Sequence, residues 1–121
     1  MTRDNQIQDE LAHKLSQPDD EVADLVQSEM GWENRLEANI RAASMGLMTQ
    51  RVYSLQEVYN LMSTTEAFVV DFSKLESWTS EVIGDEELGA AIGDVKDSDN
   101  SREKVTELIR LRLNQVAELE N

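Results

Sequence analysis

PDDEVADLVQSEMGWENRLEANIRAASMGL, residues 18–47, decides how this chain is read. Val22, Leu25, Val26, Leu36, Ile40, Ala43 and Leu47 recur three or four positions apart or at multiples of that spacing, which is the stripe of an amphipathic helix. Pro18 suits the first turn of such a helix, and Asp19, Asp20 and Glu21 offset the positive end of its dipole. The spacing therefore predicts one long helix, kinked at Met30, Gly31 and Trp32 and capped at its C-terminus by Gly46. With that helix as a spine, the expected fold is all-α: a single-domain bundle of four to six helices spanning residues 1–121.

Working outward, Ile7, Leu11 and Leu15 mark a short N-terminal helix, so residues 1–17 are expected to pack loosely on the bundle. Ser54-Leu55-Gln56-Glu57 is a capping box, with Tyr53 and Val58 placed as a hydrophobic staple. Ser63-Thr64-Thr65-Glu66 repeats the box. Phe68-Val69-Val70-Asp71-Phe72 has the composition of a buried strand, but the capped start and the following Leu75, Trp78 and Val82 favour helix. Gly84 reads as a stop and Asp85-Glu86-Glu87 as the acidic first turn of a short helix that Gly93 closes. Asp94–Asn100 reads as a loop before a last helix from Ser101, in which Val105, Leu108, Ile109, Leu113, Val116 and Leu119 form an apolar arc.

Twenty-five acidic against eleven basic side chains give a formal charge of −14, which repels nucleic-acid phosphates and anionic lipid head groups. The expected partner is a protein with a basic surface, without direct nucleic-acid or membrane contact, and a homodimer is a further expectation. A solubilising or salt-adapted exterior competes as the explanation of the same acidity. The chain has no cysteine, which removes disulfides and thiol chemistry, and no apolar run of membrane-spanning length, so a cytoplasmic location is expected.

Polar residues inside apolar stripes are the candidate site. On the predicted spine Glu29 and Glu33 project between Leu25, Val26, Leu36 and Ile40, and on the last helix Arg112 projects between Leu108, Ile109, Val116 and Leu119. A buried charge must be paired, so these three residues form either an intramolecular ion pair that fixes helix register or an interface with another chain. Glu10 and His13 have the Glu-x-x-His spacing of carboxylate-bridged metal sites, and a dimer completed by Glu29, Glu33 or Glu37 is the metal alternative. The leading reading takes no metal and no cofactor. Trp32, Trp78, Met30, Met45 and Met48 read as core fillers in preference to an adaptable binding surface. No phosphate loop, nucleophile elbow or acid–base pair stands out, so no catalytic residue is assigned.

Asp71-Phe72, Trp78, Gly84-Asp85-Glu86-Glu87-Leu88 and the Glu103–Leu119 helix together resemble the C-terminal part of the uncharacterised DUF5752 family, over residues 52–119. The Asp-Phe to Trp interval is longer here. The resemblance implies no agreed activity and transfers no functional residue. The functional expectation is accordingly a non-enzymatic, regulatory or adaptor protein acting by protein–protein interaction. A nucleic-acid-mimicking inhibitor or immunity-type protein is the alternative.

Overall fold

A computed structural model describes residue 11, residues 14–42 and residues 46–119, and among these the fold is mixed α and β. Five α-helices, α1 (Asp20–Gln27), α2 (Leu55–Thr64), α3 (Phe72–Ser77), α4 (Glu86–Val95) and α5 (Ser101–Leu119), accompany an antiparallel sheet of β1 (Leu36–Ala42), β2 (Gly46–Val52) and β3 (Phe68–Val69). The sheet order is β2-β1-β3. The all-α helical bundle expected from the sequence is therefore corrected.

The long helix is where that expectation fails. Asp19 caps α1 by accepting the Val22 N–H at 2.8 Å, but the helix ends at Gln27, and Ser28 is already extended. A single 3₁₀ turn at Trp32–Asn34 follows, and then the chain is strand. The physical reason lies in the numbers: Leu36 and Ile40 are four apart, which satisfies a helix but is also twice the strand period of two. Leu36 and Ala38 are buried while Glu37 and Arg41 are exposed, the alternation of a half-covered strand. Gly46, expected as a helix cap, instead begins β2 with φ of 72°, where its missing side chain is needed.

The capping box at Ser54 operates as expected in part: Ser54 Oγ accepts the Glu57 N–H at 3.2 Å, while Glu57 Oε1 reaches back to the N–H of Tyr53. Its repeat at Ser63 starts nothing. The Ser63 and Thr64 hydroxyls bond back to the carbonyls of Tyr59 and Asn60, and the chain leaves α2 for β3, with Phe68 opposite Ile40 and Val69 opposite Asn39. α3 passes into a π-helical turn, Trp78–Ile83, that Gly84 ends at φ of 89°. Gly93, expected as a stop, lies inside α4. A Cβ there would come within 2.5 Å of Glu76 Oε2, the carboxylate that pairs with Lys96 at 2.8 Å, so this glycine makes room for a tie between α3 and the end of α4.

One apolar core runs from Leu11 and Leu15 through Val26, Val58, Phe68, Leu75, Leu88 and Ile92 to Val116, and α5 is its axis, packed on α1, α2 and α4. Arg102, in the first turn of α5, donates to the carbonyls of Met62, Thr65 and Phe68 and so satisfies the C-terminal end of α2 and the start of β3 at once. Arg102→Ala is expected to lose about 1.5–3 kcal/mol in chemical denaturation, with Arg102→Lys in between, since a single ammonium replaces a planar fork.

Candidate functional site

Two features compete for the role of site, the Arg112 cluster and the β1–β2 hairpin. Arg112 is 1% exposed, deep between α4, α5 and the segment before α1. Its Nε lies 2.8 Å from Asp85 Oδ2, an ion pair outside hydrogen-bond angles, and its Nη2 reaches Glu87 Oε1 at 2.7 Å and Asp85 Oδ1 at 3.3 Å. Nη1 donates to the Ser16 carbonyl and to Gln115 Oε1, both at 2.9 Å. The two Nη groups thus each donate to two protein oxygens, Nε adds only the ion pair with Asp85, and Asp85 keeps Oδ1 on the Leu88 N–H as the cap of α4. A cation so enclosed has nothing left for a ligand. It is a clasp that joins α5, the start of α4 and the chain at Ser16.

Glu87 completes the clasp from the rim. Burial alone would raise its carboxyl. The Ser16 hydroxyl, Arg112 and the Ser16 N–H all donate to it and, with the Arg112 charge, outweigh burial and hold it below the ordinary 4.5. The sequence offers Arg112 either a pair with Glu29 or Glu33 or an interface with another chain. The structure pairs it with Asp85 and Glu87 and leaves Glu29 and Glu33 exposed, because the helix on which they were placed ends at Gln27.

Glu10, His13 and Met45 lie outside the described residues. Among the described residues no group of three or more histidines, cysteines or carboxylates is placed to hold a metal ion, and no helix is long and apolar enough to cross a membrane. Glu37, a candidate to complete the metal site, sits on β1 beside Arg35, 3.0 Å from its Nη2.

The hairpin is different in kind. β2 runs beside β1 from Leu36↔Val52 to Ala42↔Gly46 and has no comparable packing against any helix. Gly46 through Thr49 are exposed on both faces, Leu47 at 60% and Met48 at 47%. At its base Trp32 is 56% exposed, with the Arg35 guanidinium 3.8 Å and the Arg51 guanidinium 5.0 Å from its ring centre. Trp32 and Met48 are thus surface residues, contrary to the core role expected of them. Trp78 is buried, and its Nε1 donates to the Asn34 carbonyl at 2.8 Å, which pins the base of the hairpin to the π-helical turn.

The open edge of β2 follows from the hydrogen-bond alternation. Arg41 donates its N–H to the Ala67 carbonyl on the β3 side, at 2.9 Å. In an antiparallel ladder Arg41, Asn39 and Glu37 then turn their main chains toward β3, and their opposite numbers Leu47, Thr49 and Arg51 turn theirs away from β1. Beyond Arg51 the edge is covered, because Met30 donates its N–H to the Tyr53 carbonyl. Sequence spacing does not mark this edge, since Leu36, Ile40 and Leu47 also fit a helix that ends near Gly46. No family model, no curated protein and no solved structure matches the chain.

Proposed function

We propose that this chain is a non-catalytic interaction module, an adaptor or regulatory protein of the cytoplasm, that engages its partner by adding a strand to the open edge of β2. The observation that carries the reading is that edge: the main chain of Leu47, Thr49 and Arg51 faces outward beside the exposed side chains of Leu47 and Met48. Sheet proteins usually blunt such an edge with lysine, proline, a bulge or a covering loop, because unpaired N–H and C=O groups template pairing with another chain. Here Arg51, against Trp32, supplies the only charge on β2. Strand addition gains affinity from main-chain bonds and selectivity from alternate side chains, which suits a strand that exposes both faces.

The acidic exterior is the competing surface for a basic partner, and α1 shows it best, with Asp19, Asp20, Glu21 and Asp24 all exposed. A photo-reactive amino acid placed in living cells at position 47, or at position 21 on α1, separates the two. Adducts are expected from position 47 and are expected to vanish in Thr49→Pro, which removes an outward N–H without breaking a β1–β2 bond. Adducts from position 21 alone, or adducts at 47 indifferent to Thr49→Pro, would overturn the reading.

A further inference from the structure

We infer that the occupant of the β2 edge is a second copy of this chain, joined antiparallel about a two-fold axis at Thr49, so that two three-stranded sheets become one of six strands. The inference rests on the strand-addition reading above. Its first support is the shape of the open window. The hairpin ends at Gly46, and the Met30–Tyr53 bond closes the edge after Arg51, which leaves Leu47–Arg51 with Thr49 at its centre. In an antiparallel self-pairing about Thr49, Leu47 faces Arg51 of the other copy and Thr49 faces Thr49. All three residues with outward main chains then meet an outward-facing residue of the other copy as hydrogen-bonded pairs. The Arg51 carbonyl, held in the single chain by Gln50 Nε2 at 3.1 Å, takes the N–H of Leu47 from the other copy instead.

Charge supplies the second support. Residues 35–52 carry three arginines and one glutamate, in a chain of net −14, whereas residues 28–34 carry Glu29 and Glu33 and no basic residue. The two-fold places the distal end of each hairpin, with exposed Arg41, against the 28–34 segment of the other copy, where Glu29 and Glu33 are exposed. The pairing also keeps Arg51 opposite Leu47 and away from its own equivalent, so no like charges face each other across the seam.

The test combines mass and register. Sedimentation of the wild-type chain is expected to show a species of twice the 13.7 kDa chain mass, its fraction rising with salt as the repulsion between two strongly acidic bodies is screened. Thr49→Glu sets two carboxylates face to face at an exposed position and is expected to weaken association about tenfold at low salt, with circular dichroism unchanged. Because the chain has no cysteine, Thr49→Cys provides a single thiol at a paired position where Cα atoms stand about 5.5 Å apart, within disulfide reach. Oxidation is expected to link Thr49→Cys into dimers and to leave Leu47→Cys monomeric. Equal cross-linking of both variants, or a monomer at all salt concentrations, would overturn self-pairing. If the wild type is monomeric while adducts at position 47 still depend on Thr49, strand addition stands and the second copy is excluded as occupant.

Discussion

Arg112→Met is expected to cost about 3–5 kcal/mol of folding stability in urea denaturation, because it strands Asp85, itself 1% exposed, as an unpaired carboxylate inside the protein. The size of the loss comes from the charge left behind more than from the bond removed. The double variant Arg112→Met, Asp85→Asn is therefore expected to recover most of it, since asparagine keeps an oxygen for the Leu88 N–H at the start of α4 and carries no charge. If the double variant were as unstable as Arg112→Met alone, packing of the arginine stem would be the dominant loss and the clasp description would fail. The acid limb of the stability curve gives a second reading of the same site. Glu87 is held below its ordinary 4.5, so its contribution is fully present above that value and is lost as the pH falls through the lower, folded-state value. Removing Arg112 removes part of that depression, so the variant is expected to lose less stability on acidification than the wild type does.

How this clasp and the hairpin stood in the sequence differs for a physical reason. A charged residue inside the apolar arc of α5 announces itself, since Leu108, Ile109 and Val116 leave Arg112 nowhere to go but inward. Its partners do not announce themselves: Asp85 and Glu87 look like any acidic first turn, and only the packing of α4 on α5 brings them to Arg112. The capping box at Ser54 and the restart at Asp85 are legible because each rests on side chain to backbone bonds within a few residues. The sheet is not, because pairing is non-local. Leu36 and Ile40 satisfy both periods, and what selects the strand is β2 on one side and β3 on the other. The Phe68–Val70 stretch had strand composition, and the helical spacing of Leu75, Trp78 and Val82 belongs to the separate helix that Asp71 begins by accepting the Ser73 N–H. Glu29 and Glu33 are placed by a helical spacing that has no meaning past Gln27, whereas Trp32 and Met48 are assigned to the core on the usual burial of their residue types.

Phe68→Ala is the second large effect expected, about 3–5 kcal/mol, because Phe68 is fully buried and its removal leaves a cavity that a two-residue strand cannot collapse to fill. The neighbouring Val69, half-buried on the same strand, serves as the control, and Val69→Thr is expected to stay within about 1 kcal/mol of the wild type. The two differ in what they hold. Phe68 joins the core cluster by its side chain, faces Ile40 across the sheet and offers its carbonyl to Arg102, so it ties β1 to the start of α5 and adds to the direct burial of Leu36 and Ala38. β2, by contrast, enters the core by Val52 alone and is otherwise held by β1. Amide exchange at Arg41, whose N–H is bonded to the Ala67 carbonyl, is therefore expected to accelerate in Phe68→Ala beyond what the global loss explains. The open edge of β2 would then lose its fixed aim, and any association through it should weaken even under conditions where the helices remain folded. An exchange rate at Arg41 that tracked global unfolding alone would mean that the hairpin is held by something other than β3.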